Sequence, residues 1–253
     1  MTPTAAAVYA GLLLARLGAF VAVMPLFGAR TPRTVRVGLA VALVVFYLGT
    51  DPPKLAPGAP VGTVTEIESL RYALALARET VLGAAMGFAF GLFLLPARIA
   101  GEFVTTQIGL NGTPLPGLTG NDTAGPVTTA FETMAGFVFL VADGHHVVLA
   151  ALHASFATFP LGGATLPDVA PAVTGLATAY EMGLLLAAPL ALCLFLLAVT
   201  LAIMARAAPQ LSIYSVGFSL QVLVVLFGGL FLLPEMVLTA YAITGRLGAA
   251  LPF

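Results

Sequence analysis

Three histidines sit close together, His145, His146 and His153, with Asp143 beside them, and they are the first place to look for a metal. A zinc site needs three or four converging nitrogen, sulfur or oxygen ligands. No HExxH helix and no paired cysteines accompany these histidines, so no metal is expected, and they read as interfacial or capping residues. Ser155 lies two residues after His153, but residues two apart on a helix point in different directions. There is no GxSxG elbow to expose a serine nucleophile. The methionines are scattered, and the glycine-rich stretch around Gly83 carries no lysine that would make it a phosphate loop. No catalytic residue and no cofactor-binding residue is expected: the chain does not read as an enzyme.

The remaining chemistry lies in charges within apolar sequence. Arg16, Glu79, Glu102 and Glu132 all fall in or beside hydrophobic runs, and Glu181 lies in another. A carboxylate or guanidinium at membrane depth costs roughly 2.5–3.5 kcal/mol on insertion scales, so such groups face protein or water. They are read as buried polar residues paired across helices. The alternative is a polytopic secondary transporter in which Glu79, Glu132, Glu181 and Arg16 form a proton relay. Such transporters are commonly built from internal repeats, and ARETVLGAAMG has no counterpart near AYEMGLLLAAP beyond a Glu and some Gly.

Composition fixes the elements that must hold these residues. The 253 residues are 60% hydrophobic and only 8% charged, with mean hydropathy +1.05, where soluble domains hold about 25% charged residues. The fold class is an all-α integral membrane protein with about six hydrophobic helices, over one domain, 1–253. A net charge of −1 without any basic run argues against nucleic acid as a partner. Apolar runs cover Ala5–Val23, Gly38–Leu48, Leu70–Ala97, Val127–Ala142, Leu176–Ala205 and Val216–Leu233. The first is expected to be a retained helix rather than a signal peptide, since no basic segment precedes it. Arg30, Arg33 and Arg36 form the densest positive cluster, placing that loop on the cytoplasmic side and the N-terminus outside. Cys193, alone among Leu and Phe, is expected to be a small core residue.

The chain is organised around Tyr72–Pro126. Gly83, Gly87 and Gly91 recur every four residues, so they share one helix face and let a second helix or subunit approach closely. The helical pattern runs on toward Gln107, Gly109 and Leu110. It then gives way to NGTPLPGLTGNDTAGP, a Gly- and Pro-rich stretch with one charge, Asp122. Loops this long in a compact protein are functional or disordered.

Three stretches together resemble the FliR family of flagellar biosynthetic proteins and their injectisome counterparts, the export-gate subunits of type III secretion. In PLFGARTPRTVRVGLA the matching residues are Pro25, Phe27, Pro32, Val35, Arg36, Leu39 and Ala40. In ETVLGAAMGFAFGLFLLPARIAGEFVTTQIGL they are Glu79, Gly83, Gly87, Phe88, Ala100, Gly101, Glu102, Gln107, Gly109 and Leu110. In RAAPQLSIYSVGF they are Arg206, Ala208, Pro209, Gln210 and Gly217. A weaker match is DGHHVVLAALHASFATFP, through His145 or His146, Ser155, Phe156 and Pro160.

The resemblance implies helical hairpins packed in a hetero-oligomeric gate with FliP-type and FliQ-type subunits and a FlhB-type switch subunit. That gate lies in the bacterial inner membrane, at the flagellar basal body or injectisome base. Unfolded secreted proteins are its substrates, and the subunit itself supplies no chemistry. Arg206, Pro209 and Gln210 would form a subunit-packing turn. The segment after Gln107 and Gly109, through Leu110, Asn111, Gly112, Leu115, Leu118 and Asp122 to Pro126, would plug the channel. The family's Asp-Pro step is replaced here, since Asp122 precedes Pro126 by four residues.

Overall fold

The computed structural model describes residues 3–24, 31–50, 52–59, 66–109, 125–163, 168, 170–207 and 213–250. Eight helices form among them: α1 (Pro3–Val23), α2 (Arg33–Gly49), α3 (Glu66–Gly91), α4 (Leu95–Gln107), α5 (Pro126–Val141), α6 (Gly144–Thr158), α7 (Ala170–Ala207) and α8 (Ile213–Ala250). The described residues hold no strand, only an isolated bridge between Leu55 and Leu161. The protein is an all-α membrane protein.

Four helices are long and apolar enough to cross a bilayer, within α1, α3, α7 and α8, and α5 with α6 make a fifth if counted as one broken span. The apolar run at Gly38–Leu48 lies in α2, a helix of 17 residues. Arg33 and Arg36 belong to the first turn of α2 rather than to a loop, because Pro32 ends the preceding chain and opens the helix. Leu70–Ala97 is not one span. Helix α3 stops at Gly91 and α4 restarts at Leu95, with Pro96 in its first turn. Proline has no N–H to give a helix interior but suits a first turn, so the break falls where the sequence tolerates it.

Two compact units are distinguished, and each has its own core. The first comprises residues 1–92, 144–175 and 247–253. Its centre is α1, whose Leu12, Leu13, Leu17, Phe20 and Val21 are almost wholly buried, alongside Leu82, Met86 and Phe90 of α3. Phe20 and Phe90 meet edge to face at 5.9 Å. Helix α6 adds Leu152 and Phe156, the latter 4.9 Å from Tyr47 of α2.

The closeness of α1 and α3 comes from glycine. A Cβ on Gly87 would sit 2.7 Å from the Phe20 carbonyl oxygen, and one on Gly83 would collide with the Arg16 backbone. Gly91, at the end of α3, is half-buried. Gly83→Ala should therefore lose stability despite alanine's better helix propensity. Gly136→Ala, with nothing within 4 Å of its added carbon, should gain up to about 1 kcal/mol. Gly87→Leu should prevent α1 and α3 from closing and abolish recovery of assembled protein. Melting temperatures of the purified alanine variants and yield of the leucine variant check this. A Gly83→Ala variant as stable as the parent would contradict the contact.

The second unit comprises residues 93–143 and 176–246. Ala97, Ala100 and Val104 of α4 and Ile108 just past its end pack with Phe131 and Ala135 of α5, with Leu186, Ala187, Leu190 and Leu194 of α7 and with Val225 and Leu232 of α8. Pro189 and Pro234 lie inside α7 and α8. Each removes one backbone bond but does not end the helix, since good helix formers flank it on both sides. Cys193 is exposed, contrary to the core position expected of it. Leu190 and Leu194 of the same helix are the buried residues beside it.

Candidate functional site

Arg16, near the middle of α1, is 1% exposed, and Glu79 of α3 is 3% exposed. The Arg16 Nε donates to Glu79 Oε2 at 2.5 Å, and its Nη2 donates to the carbonyl of Phe159 at 2.8 Å. The other Glu79 oxygen accepts the Gly162 N–H at 2.8 Å. Gly162 has φ +75, a conformation that favours glycine. The guanidinium also lies 4.8 Å from the Phe156 ring centroid. One buried ion pair thus ties α1 and α3 to the turn after α6. That turn is tied again by backbone bonds between Ala56, Lys54 and Leu161, and Tyr9 donates to the Pro53 carbonyl at 2.7 Å. Among the described residues, Arg16 Nη1 has no partner.

Such a pair is a fixing point. Both Glu79 oxygens are occupied by donors, and Glu181, the further carboxylate of a proton relay, is exposed on α7. The histidines divide: His145 and His146 stand 4.2 Å apart between ring centroids, while His153 stacks on Tyr47 at 6.3 Å. Ser155 is fully buried and donates to the Leu152 carbonyl at 2.7 Å, so its hydroxyl is a core bond and not a nucleophile.

The second arrangement is the α4–α5 hairpin, whose two helices are joined in sequence by residues 110–124, which lie outside the described residues. A Cβ on Gly101 would lie 2.6 Å from Thr128 Cα, and one on Gly125 would lie 2.5 Å from Thr105 Cγ2. Thr105 donates to the Gly101 carbonyl at 2.6 Å, and its oxygen lies 3.1 Å from that of Thr128. A hydroxyl has one proton, so with Thr105 committed to Gly101 it is Thr128 that donates across the hairpin. Ile108 caps α4, Gly109 turns the chain at φ +72, and Pro126 opens α5 behind Gly125. Gly109 and Gly125 therefore stand at a closely packed base where α4 ends and α5 begins. Gln107 and Gly109 are exposed there, whereas Leu110, Asn111, Gly112, Leu115, Leu118 and Asp122 lie outside the described residues.

Two of the expected buried carboxylates need correction. Glu102 is 52% exposed and pairs with Arg98 at 3.0 Å one turn before it. The buried stripe of α4 runs through Ala97, Ala100, Gly101, Val104 and Ile108, and a residue two places past Ala100 points about 200° away from it. Glu132 is half-buried, at 23%, 3.7 Å from the same Arg98. Arg206 is exposed at the end of α7, while Pro209 and Gln210 lie outside the described residues.

Residues 7–246 match the family of bacterial export proteins, family 1. The chain belongs to that family. The flagellar biosynthetic protein FliR of Pectobacterium carotovorum subsp. carotovorum is 30% identical over 214 residues, which cover 83% of this chain and 78% of the relative. FliR of Escherichia coli K12 is 29% identical over the same shares. FliR of Caulobacter vibrioides is 30% identical over 229 residues, 87% of this chain and 86% of its own. In this member of the export family, both arrangements lie within the matched residues.

Sequence reasoning missed the Thr105–Thr128 clasp, the Phe159–Gly162 turn and the Arg98–Glu132 pair. A signal for the clasp was present: Ala97, Gly101 and Thr105 repeat small residues every four positions, as Gly83 and Gly87 do. Nothing local marks Phe159 and Gly162 as partners of charges so distant in sequence.

Proposed function

We propose that this chain is a structural subunit of the type III protein export gate of the bacterial flagellum. It forms part of the portal through which unfolded proteins enter, in the inner membrane at the basal body. Residues 1–253 act as one module with FliP-type, FliQ-type and FlhB-type subunits. The 107–126 segment plugs the channel, and no cofactor takes part.

One observation supports the assembly most directly: the apolar stretch Val173–Ala207 of α7 is 35 residues long, and only 22% of an 18-residue window within it is buried. At 1.5 Å per residue it is about 52 Å long, while the hydrocarbon core is about 30 Å thick. About four turns of apolar helix are left over, and other protein must cover them. The family match and the FliR relatives supply the process, and the fixed hairpin supplies a rigid mount for the plug.

The test is genetic. A strain lacking the gene should secrete no flagellar filament or hook protein, and the plasmid-borne chain should restore secretion. Normal secretion by the deletion strain would refute the proposal. Within it, Arg206 at the end of α7 is a subunit contact, whereas Arg246 near the end of α8 is not. Arg206→Ala should reduce recovery of the FliP-type partner several-fold in a pull-down, and Arg246→Ala should leave it near parental. Equal effects would count against the contact.

A further inference from the structure

The sequence carries no metal-binding motif, yet the fold brings three donors of a suitable kind together. Asp143, His145 and His146 each present one ligand atom, and these atoms all lie within 4.8 Å of one another. Four consecutive residues, 143–146, make the arrangement, so the local path of the chain sets it. Asp143 has φ +55 and immediately precedes α6; aspartate tolerates this left-handed conformation better than most residues. His145 and His146 follow in the first turn. Adjacent positions on a helix project about 100° apart, but the two rings lie 4.2 Å apart between centroids, with their planes 37° from parallel. Both rings therefore turn toward the same side. Asp143 and His146 are exposed and His145 is half-buried, so an ion can reach the group from outside.

We infer that Asp143, His145 and His146 hold a divalent transition-metal ion of the zinc class. Neutral imidazole is the commonest metal ligand, and zinc combines it readily with a carboxylate oxygen. Magnesium and calcium prefer oxygen donors, so two nitrogens select against them. A tetrahedral ion with bonds of about 2.0–2.1 Å places its donors roughly 3.3 Å apart. Rotations of the two exposed side chains close the remaining distance, and a water fills the fourth position. Among the described residues, the Nδ1 of His145 is buried without a hydrogen-bond partner. A buried polar atom of that kind calls for an explanation, and ligation of this ring supplies one. The positive end of a helix dipole opposes a cation, and the Asp143 carboxylate offsets it. No Lys or Arg occurs in the sequence from Ile99 to Ala205, so no cationic side chain close by in the chain competes for Asp143. The ion pins the start of α6, the helix whose far end leads into the turn that holds Arg16 and Glu79. Its role is structural, and it does not depend on the gate reading.

The experiment uses the full chain, purified in mild detergent on a tag without histidine and stripped with a chelator. Cys193 is exposed and thiolates bind zinc, so the background is Cys193→Ala. Zinc chloride is titrated by isothermal calorimetry, and melting curves are recorded with and without it. The background protein should bind one zinc per chain with a Kd in the micromolar range or tighter, and zinc should raise its melting temperature. Asp143→Asn and His146→Gln should each weaken binding about tenfold or more and remove the melting shift. His153→Gln, on the same helix but stacked on Tyr47, should keep both. Asparagine caps a helix as well as aspartate does, so Asp143→Asn separates ligation from capping. Folded background protein that binds no zinc would overturn the inference, as would equal binding by Asp143→Asn and His146→Gln. A response to magnesium chloride equal to that for zinc would overturn it too.

Discussion

Deleting Leu115 to Thr123 is expected to leave the protein folded and assembled but the idle gate conducting. An export channel must pass an unfolded chain and yet hold back ions when empty, or the membrane potential collapses. Packed helices move between discrete arrangements and do not deform continuously. A segment rich in Gly and Pro with one charge, held at both ends, is suited to open and reclose. On the plug role proposed above, Leu110, Leu115 and Leu118 would supply an apolar constriction that excludes ions by dewetting. The hairpin clasp at Thr105–Thr128 lies outside the deletion, so assembly should survive it. Single-channel recording of the reconstituted gate, or uptake of small solutes by cells, would show the leak. A deletion variant that assembles and stays as tight as the parent would place the seal on another subunit.

The second large effect is expected at Arg16 and Glu79. Removing either alone leaves the other as an uncompensated buried charge, at a cost of about 3–5 kcal/mol. Arg16→Ala and Glu79→Ala should each fall far in melting temperature and yield. Arg16→Met with Glu79→Leu removes both charges and should recover part of the loss. The recovery stays incomplete, because the Gly162 N–H and the Phe159 carbonyl then lose their partners, at about 1–3 kcal/mol for each group left unsatisfied. Arg16→Lys keeps the charge but loses the planar fork that reaches Glu79 and Phe159 together. Melting curves of the detergent-purified variants decide this. A double variant no better than the worse single one would show that the pair is held by something other than charge compensation.

Helix positions were legible in the sequence because burial and lipid exposure both select apolar runs, and α1, α5 and α7 fall where those runs lie. The boundaries that moved are those set by proline. Pro96 opens α4 where hydropathy alone runs through it, and Pro234 sits inside α8, which continues past the apolar run that ends at Leu233. Arg16 and Glu79 were legible as expensive charges needing partners, and the glycine spacing indicated that the helix carrying Glu79 packs closely. Their third partner was not legible, since a backbone N–H and a carbonyl leave no trace in residue type. Glu102 was misread because a carboxylate in an apolar stretch looks the same whether it points inward or outward. Only the register of α4, set by Ala97, Ala100 and Val104, decides that. The subunit contact at Arg206 was read from resemblance alone and remains a matter for the pull-down described above.

The central claim is that this member of the bacterial export family works as one part of a multi-subunit gate, and co-purification tests it most directly. The chain, tagged at its C-terminus and expressed at native level, is extracted in mild detergent, and the proteins held on the column are identified by mass. The account predicts FliP-type and FliQ-type subunits in constant ratio to the chain, retained through a size-exclusion step. A chain that elutes alone and carries no export subunit, from membranes in which those subunits are present, would contradict it.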